Sequence, residues 1–304
     1  MSINFENFES TVTGELDKAV AVKPVTGFMA DNNLRARFVG GRTVLIPEMS
    51  FSGLGKYDRD TGFVKGTVSV TAEPYTLAMD RGRSFQLDRE DQDETGIADL
   101  AGQVMGEFVR TQVVPEIDAY VLSKLGGYAA TAEQTVTGTP ATEAYKMLTA
   151  AIAKVQNEVG YDEELVAFLD STMWSALQKS SDLSRMMVVN HFKKGDITTE
   201  VKSLNGVALL PTPDSRMKTA YTFNDGTTTG QTAGGFTAAD SAKSIGLLVL
   251  PKRAASLVKK TEKVRVFDPD HNLNADAWKF DYRLYYDLFI RNSMEKAIYT
   301  YVYL

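Results

Sequence analysis

The pattern that constrains the fold most is a long alternation of side chains near the C-terminus. Over residues 280–290, one set of alternate positions is entirely apolar or aromatic, and the other set contains three charged residues. The apolar set is Phe280, Tyr282, Leu284, Tyr286, Leu288 and Ile290. Because successive side chains of a β-strand point to opposite faces, this pattern predicts a long antiparallel strand with one buried face. We expect residues 258–267 to pair with it across the turn-rich segment 268–272, and residues 298–303 to form a last short strand.

A second β pattern lies between residues 43 and 79. A short β-rich run at 43–46 ends at Pro47 and precedes the polar, glycine-punctuated stretch 52–62. Valines then alternate with hydroxyl side chains at 67–71, and a further β-rich run follows at 75–79. Two β runs around a polar tip predict a long hairpin. Its polar alternation indicates that the hairpin does not lie in the core of its own subunit.

The strongest helical pattern covers residues 93–125, where apolar residues recur at i, i+3 and i+4. Pro115 interrupts this pattern, and a proline inside a helix removes one backbone hydrogen bond, so the sequence predicts a kink, or a break with a restart. Gly102 and Gly106 each lower helix stability by roughly 1 kcal/mol relative to alanine. The pattern therefore predicts a long helix that bends easily.

The middle of the chain mixes helices and strands without regular βαβ alternation. The predicted elements are helix 142–159, strand 165–169, a short helix capped by Ser171, strand 206–210, a loop rich in Gly and Thr at 224–235, and strand 245–250. An irregular order of this kind is typical of an α+β fold rather than a doubly wound sheet.

Composition excludes several classes of function. The 304 residues include no cysteine and only two histidines, His191 and His271, which excludes thiol chemistry and disfavours most metal and acid–base sites. The net charge of −6 disfavours a dedicated nucleic-acid binder. We find no export signal and no apolar run long enough to span a membrane, so we expect a cytoplasm-like compartment. Such a chain is expected to bind or to build rather than to catalyse.

Two partial motif matches lack a required residue. Gly53 and Gly55 begin a dinucleotide-binding fingerprint, but Asp58 stands where its third glycine belongs. Residues 268–272 open like a calcium loop, but Leu273 replaces the glycine needed for its sharp turn. Turn formation explains both segments better. We therefore predict no catalytic, cofactor-binding or metal-binding residue.

Two charged clusters have simple structural explanations. The acidic segment 88–94 could hold a divalent ion, but helix capping already accounts for it. The basic residues of 252–265 are divided by the predicted strand: Lys259, Lys263 and Arg265 lie on one face, and Lys260 and Glu262 on the other. We interpret them as a solvated face or a subunit contact rather than a phosphate track.

The order of these elements, together with local patterns, resembles one family. The patterns are Gly53-Leu54-Gly55-Lys56-Tyr57-Asp58-Arg59 before Gly62-Phe63, Tyr75-Thr76-Leu77 before Asp80-Arg81-Gly82-Arg83-Ser84-Phe85, Val114-Pro115-Glu116-Ile117-Asp118-Ala119-Tyr120, and Tyr285-Tyr286-Asp287-Leu288-Phe289 before Ala297-Ile298-Tyr299. Nearly the whole chain resembles the major capsid protein of tailed bacteriophages, which has the Hong Kong 97-type fold.

The resemblance implies a domain organisation. Residues 1–40 would be an N-terminal arm and residues 41–88 an extended β-hairpin loop that lies over a neighbouring subunit. A peripheral domain, containing the long spine helix, would comprise 89–130 and 256–296. An axial domain would comprise 131–255 and 297–304.

The resemblance also implies a function in the virion. Copies of the chain would form the hexamers and pentamers of an icosahedral shell, assembled in the bacterial cytoplasm, which encloses double-stranded DNA and expands on maturation. The implied partners are a portal protein, a separate scaffolding protein and a decoration protein, without cofactor, membrane or sequence-specific DNA binding. Subunit contacts would involve Lys56, Tyr57, Asp58, Arg59 and Phe63, and the bending of the spine helix Gly102, Gly106 and Pro115.

Two questions stay open at this point: whether subunits are cross-linked, and which function the chain has. One branch of the family joins a hairpin lysine to an asparagine of a neighbour, and Asn272, Asn274 and Asn292 are conceivable acceptors for Lys56. Since no motif fixes the pair, we expect Lys56 to make charge contacts instead. The alternative functions are a shell protein of an encapsulin-type bacterial nanocompartment and a soluble α+β enzyme.

Overall fold

A computed structural model describes residues 24–31, 37–39, 41–89, 105–131, 135–137, 143–180, 188–194, 197–272 and 275–303. Its α-helices are α1 (Val114–Thr131), α2 (Ala144–Val159) and α3 (Ser171–Lys179). Its strands are β1 (Arg37–Val39), β2 (Thr43–Phe51), β3 (Val68–Thr76), β4 (Met79–Asp88), β5 (Thr135–Thr137), β6 (Leu165–Leu169), β7 (Val188–Lys194), β8 (Ile197–Leu204), β9 (Val207–Pro211), β10 (Tyr221–Phe223), β11 (Phe236–Ala238), β12 (Ser244–Pro251), β13 (Ala255–Phe267), β14 (Ala277–Ile290) and β15 (Tyr299–Tyr303).

The strands of the described residues form four sheets. A seven-stranded sheet has the order β5-β15-β12-β6-β9-β8-β7, and a three-stranded sheet has the order β13-β14-β4. Strands β1, β2 and β3 form a third sheet, and β10 pairs with β11 in a small two-stranded sheet. Helices and sheets alternate irregularly along the chain, so the predicted α+β class is confirmed.

The predicted pairing of the C-terminal strand is confirmed. Strand β14 runs antiparallel to β13 from Ile290, opposite Ala255, to Lys279, opposite Phe267. The prediction of a single buried face is wrong for the second half of β14, where every residue from 284 to 290 is buried. The second face is buried by the sheet β1-β2-β3, because side chains of β2 pack on the face of β14 that was not predicted to be buried.

The long helix passes Pro115 without a break. Residues 105–108 are helical, Val109–Val113 form a π-helical turn, and α1 follows directly. In this turn the N–H of Val114 bonds to the carbonyl of Val109, one residue further back than in an α-helix. A wider turn gives room to the carbonyl that the proline ring would otherwise meet. Of the two predicted outcomes, a kink or a break with a restart, the break does not occur. The start of the predicted helix, 93–104, lies outside the described residues.

The middle of the chain folds as predicted, around the seven-stranded sheet. The predicted strands at 165–169, 206–210, 245–250 and 298–303 correspond to β6, β9, β12 and β15. Helices α2 and α3 cover one face, where Leu148, Ile152 and Met173 join a fully buried cluster. The other face of this sheet packs with α1 and with sheet β13-β14-β4 in a second core, which includes Phe168, Leu122 and Tyr286.

The cap of α3 differs from the prediction. Asp170, not Ser171, is the N-cap residue, and its carboxylate accepts a hydrogen bond of 2.7 Å from the N–H of Met173. Ser171 is already helical, and its hydroxyl donates to Asp214 over 2.6 Å instead. An N-cap residue has an extended backbone, and Asp170 has this conformation.

The predicted division of the basic residues between the two faces of β13 is also wrong in part. A β-bulge lies between Lys259 and Thr261, and it shifts the alternation of side chains on β13. Lys259 therefore lies on the same face as Glu262 and forms an ion pair of 2.8 Å with it. The segment 268–272 is a turn, as predicted, in which Asp268 accepts a hydrogen bond from the N–H of His271.

No helix in the described part of the chain is both long enough and apolar enough to cross a membrane. The same residues contain no group of three or more histidine, aspartate or glutamate side chains placed to hold a metal ion.

Candidate assembly surface

Strands β2 and β3 form the predicted hairpin. They pair antiparallel from Thr43, opposite Thr76, to Phe51, opposite Val68. Strand β4 lies within the predicted hairpin range, but it pairs along its whole length with β14. The hairpin is thus continuous with the sheet β13-β14-β4, from which it projects.

A compact turn closes the hairpin tip. The carboxylate of Asp58 accepts hydrogen bonds from the N–H groups of Asp60 (2.7 Å) and Thr61 (3.0 Å), and Gly62 supplies the left-handed backbone that the turn requires. The hydrogen bond from Thr61 and then that from Asp60 lower the pKa of Asp58. Tyr57 and Phe63 pack against each other across the turn, with ring centroids 4.9 Å apart.

The hairpin exposes an unusually apolar surface, which we call the hairpin patch. It consists of Met49, Phe51, Leu54, Tyr57, Phe63, Val64, Val68 and Val70. Leu54 is fully exposed, and Phe63 keeps 87% of its accessible surface. Monomeric soluble proteins rarely expose such a contiguous group of large apolar side chains, so the patch is suited to contact another protein surface.

The residues predicted to contact a neighbour all lie at this tip. Tyr57 and Phe63 belong to the hairpin patch, and the exposed Lys56, Asp58 and Arg59 lie beside them in the chain. Of these, the aromatic residues Tyr57 and Phe63 and Arg59 are of types enriched at protein interfaces, whereas Lys56 and Asp58 are of types that are depleted there.

A buried carboxylate fixes the base of the hairpin. Asp287 on β14 accepts hydrogen bonds from the hydroxyl of Tyr120 (2.7 Å) and the N–H of Ala78 (2.9 Å), and it forms an ion pair with Lys124. Burial, and then the hydrogen bond to this carboxylate, raise the pKa of Tyr120. The carboxylate thereby ties the chain just after the hairpin to both α1 and β14.

A second cluster lies on the outside of the same base. The amide of Asn292 donates to Glu48 on β2 and to Glu73 on β3, each over 3.1 Å, and its N–H donates to Glu48 over 2.9 Å. The hydroxyl of Tyr75 donates a hydrogen bond of 3.0 Å to Glu73. The pKa of Tyr75 is raised, first by burial and then by this hydrogen bond. The two clusters connect the base of the hairpin to β14, to α1 and to the residues that follow β14.

The candidate cross-link acceptors differ in their surroundings. Asn292 lies between two carboxylates, whereas the amide of Asn272 donates to the carbonyl of Ala277 over 2.8 Å, and Asn274 lies outside the described residues. Lys56 is exposed at the tip of the hairpin, while Asn292 is at its base. The structure therefore brings Asn292 to the glutamates but not to Lys56 of the same chain.

The three residues predicted to confer bending are only partly described. Gly106 lies in the helical residues 105–108, and Pro115 follows the π turn directly. Gly102 lies outside the described residues. Gly106 and Pro115 thus lie on either side of the π turn, where the hydrogen-bond pattern of the helix changes.

The two clusters at the base of the hairpin were not predicted from the sequence. A signal for one of them was present, because Asp287 falls between Tyr285 and Phe289, two aromatic residues on the same strand face. An acidic residue flanked in this way indicates a buried carboxylate. The cluster around Asn292 unites residues far apart in sequence, and no local pattern indicates it.

Comparisons with known proteins find a similar fold in solved capsid structures. No protein-family model matches the sequence, and a search of curated proteins finds no match. Among solved structures, the mature capsid of bacteriophage PhiM1 aligns with a TM-score of 0.56 at 13% identity, over 86% of this chain and 82% of the other. The capsid of cyanophage P-SCSP1u aligns with a TM-score of 0.57 at 12% identity, over 88% of this chain and 85% of the other. A virus-like particle from Pyrococcus furiosus aligns with a TM-score of 0.51 at 10% identity, over 99% of this chain and 100% of the other.

Proposed function

We propose that this chain, which has the fold of phage capsid proteins, is the major capsid protein of a tailed double-stranded DNA bacteriophage. The observation that carries the proposal is the hairpin patch, which exposes large apolar side chains at the end of an arm held firmly at its base. Such an arm has little use in a monomer. In a shell, a neighbouring copy covers it, and burial of this surface stabilises the assembly.

The proposed arrangement assigns a role to each part of the subunit. The seven-stranded sheet with α2 and α3 is the axial domain, around which copies form hexamers and pentamers. Sheet β13-β14-β4 and the long helix are the peripheral domain. Because β4 pairs with β14, we place the boundary of the extended loop after β3 rather than at residue 88.

Electron microscopy tests the proposal directly. The purified full-length chain, produced in bacteria with and without the neighbouring genes of its source, should yield closed particles with fivefold vertices. Sedimentation velocity should show that most of the protein is in a species of megadalton mass. A stable monomer or dimer under all these conditions would contradict the proposal.

A second candidate is the shell of an encapsulin-type nanocompartment. The alignment with the virus-like particle from Pyrococcus furiosus extends over both whole chains, which favours it as the alternative. The two candidates differ in what the particle contains. A phage capsid carries DNA and a portal at one vertex, whereas a nanocompartment carries protein cargo and has equivalent vertices.

The proposed partners follow from the phage assignment. They are a portal protein, a scaffolding protein that directs assembly, a decoration protein on the outer surface, and the enclosed genome. At a net charge of −6, the chain should confine DNA rather than bind it tightly. Assembly in the bacterial cytoplasm and residence in the virion complete the proposal.

Bending of the long helix is proposed to accompany shell expansion. Replacing both Gly102 and Gly106 with alanine should raise the acid or heat threshold for expansion, because each glycine lowers helix stability by about 1 kcal/mol relative to alanine. Light scattering of procapsids during a temperature ramp measures the threshold. Gly127→Ala is the matched control, since Gly127 is an exposed glycine of α1 with open space for a Cβ atom. An unchanged threshold in the double variant would disprove the role of these glycines.

Lys56 is proposed to make charge contacts with a neighbour without a covalent bond. Denaturing electrophoresis of mature particles should therefore give a single band near 33.4 kDa. A ladder of multiples would contradict this expectation. In that case Asn292→Asp would test the acceptor first, because Asn292 alone among the described candidates lies beside two carboxylates.

A further inference from the structure

A cavity of about 470 Å³ lies beside the sheet β13-β14-β4. Its walls are β4, β14, the helix around the π turn, and the loop between β10 and β11. Phe85 and Phe108 line it, and they are half-buried and pack edge to face, with ring centroids 4.8 Å apart. Its volume falls within the range of roughly 300–1,000 Å³ that is typical of sites for drug-sized molecules, so a single aromatic side chain fits inside it.

The tip of the hairpin carries side chains of the kind that fill such cavities. Leu54 is fully exposed, and Phe63 keeps 87% of its accessible surface. Aromatic side chains that enter a pocket of the partner often contribute a large part of the energy of a protein interface. Phe63 is therefore suited to act as an anchor in a concave surface.

Few other surfaces of the described residues offer apolar cover for the tip. Outside the hairpin, the large apolar side chains that are exposed belong to Phe38, Val39 and Tyr161, which lie in two separate segments of the chain. The half-buried rings of Phe85 and Phe108, in contrast, lie together in one concave wall. Among the described residues, the cavity is the surface that best matches an aromatic anchor.

One cation at the cavity is only weakly engaged. Arg83 is exposed, and its guanidinium makes two long contacts of 3.4 Å with the carbonyl of Thr232. The two carboxylates of the lining have other partners: Glu116 pairs with Arg81, and Asp225 accepts hydrogen bonds from its own loop. Arg83 is therefore available to a carboxylate from outside.

The hairpin tip carries such a carboxylate. Asp60 is exposed three residues before Phe63, and among the described residues its side chain has no hydrogen-bond or ion-pair partner. Asp58, in contrast, uses its carboxylate to close the turn. An aromatic anchor beside a free carboxylate on the tip thus matches an aromatic wall beside a weakly engaged arginine at the cavity.

The hairpin of the same subunit extends away from this cavity. Along β2, Ile46 packs with residues of β14, whereas Glu48, two residues nearer the tip, bonds to Asn292 beyond the end of β14. The cavity lies beside the middle of β14, at residues 282–286, and no described residue of the hairpin lines it. Since nine-residue strands span about 30 Å, the tip lies at the distance of a neighbouring subunit.

We propose that the cavity of one subunit receives the hairpin tip of a second copy of the chain, an inference that rests on the proposed function. Phe63 enters beside Phe85 and Phe108, and Asp60 pairs with Arg83. Because the tip and the cavity are different surfaces of one chain, the contact is head-to-tail. Contacts of this type close into rings when the rotation between copies allows it, which suits rings of five and six copies.

Photo-crosslinking in assembled particles tests where the tip lies. p-Benzoylphenylalanine at position 63 keeps an aromatic group at the tip, and irradiation should join it to a second copy. Mass spectrometry of the digested dimer band should find the label attached to peptides that contain β4 or residues 105–117. The same label at position 161 is the matched control, because Tyr161 is exposed but belongs neither to the hairpin nor to the cavity, and it should give no such product.

The outcomes of this experiment separate the contact from the proposed function. Attachment of the tip to a different surface, or no product between copies, would overturn the inference although particles have formed. If no particles form from the unlabelled chain, the proposed function itself is contradicted.

Exchanging the two charges tests the ion pair. Asp60→Arg or Arg83→Asp alone places like charges at the contact, so each should raise the protein concentration needed for assembly roughly fivefold, as expected for one exposed ion pair at the upper end of its usual range. Combining both restores opposite charges and should return this concentration to that of the parent, as measured by light scattering. Arg83→Asp with Asp162→Arg is the matched control, because it has the same net charge but changes an exposed aspartate outside the hairpin. Equal rescue by both pairs, or no effect of either single change, would contradict the contact.

Discussion

Leu54→Asp combined with Phe63→Asp is expected to abolish shell assembly while the subunit stays folded. Both side chains belong to the hairpin patch, and both are almost entirely exposed in the single subunit. The double substitution therefore removes no contact from the subunit's own core. In the assembled shell it would replace two buried apolar groups by two carboxylates with no partner.

The expected effect is large. Burying a leucine or phenylalanine contributes about 1.5–3 kcal/mol, so the two substitutions together remove about 3–6 kcal/mol from every contact between neighbours. A shell repeats this contact at each subunit, which multiplies the loss.

Sedimentation velocity and circular dichroism, measured on the same sample, separate assembly from folding. The variant should sediment as small oligomers and unfold at the temperature of the disassembled wild-type subunit. Leu54→Met combined with Phe63→Leu is the matched control, because it keeps the patch apolar, and it should still assemble. Normal particles from the aspartate variant would show that the hairpin patch is not an assembly contact.

The hairpin could be predicted from sequence because its signals are local. Two β runs and a polar tip are adjacent in the chain. Their polar alternation predicted that the hairpin lies outside the core of its subunit, which is correct for the exposed tip but wrong for the base, where Val44 and Ile46 are buried. The same reasoning explains β14, whose alternation is a property of one segment. The prediction of one buried face was wrong for the second half of β14. Whether the other face is buried depends on β2, which is distant in sequence.

Three further features depend on contacts or backbone geometry that local patterns do not contain. The bulge near Lys259 changes which side chains share a face, although no residue type marks it. The π turn before Pro115 is one of several ways to accommodate a proline, and sequence patterns do not choose among them. Arg81 on β4 donates to the carbonyls of Asn224 and Gly235 in the loop between β10 and β11, and this contact depends on tertiary packing.

Asp118 shows how a local pattern can nevertheless point to a buried polar group. It shares the spacing i, i+4, i+7, i+11 with Val114, Val121 and Leu125, and so it falls on the apolar face of the long helix. The structure buries it completely. An acidic residue in such a position must have partners that stabilise its charge.

Those partners join three distant parts of the chain. The carboxylate of Asp118 accepts hydrogen bonds from the N–H of Val25 (3.1 Å) and from the N–H (3.0 Å) and hydroxyl (2.6 Å) of Thr26. It also forms an ion pair of 3.0 Å with Arg216, whose side chain keeps 19% of its accessible surface. Asp118 thus attaches the segment at 24–31 to α1, in addition to the buried side chains of Phe28 and Met29.

Asp118→Ala is expected to lower the free energy of unfolding by about 3–5 kcal/mol. The substitution leaves the guanidinium of Arg216 and three donors of Val25 and Thr26 without their acceptor, and it opens a small cavity beside them. Since folded domains are stable by only about 5–15 kcal/mol, this loss is a large share of the total. The attachment of segment 24–31 should weaken with it.

Urea unfolding measures the change, with all variants in the Leu54→Asp, Phe63→Asp background so that dissociation does not contribute. Asp240→Ala removes an exposed aspartate and is expected to change stability by no more than about 0.5 kcal/mol. Asp118→Asn keeps an acceptor oxygen but loses the charge, so its stability should lie between that of Asp118→Ala and the parent. Protease digestion should cleave near residues 24–31 faster in the alanine variant, because the donors that hold this segment to the helix have lost their acceptor. If Asp118→Ala is as stable as Asp240→Ala, the carboxylate does not hold these parts of the chain together.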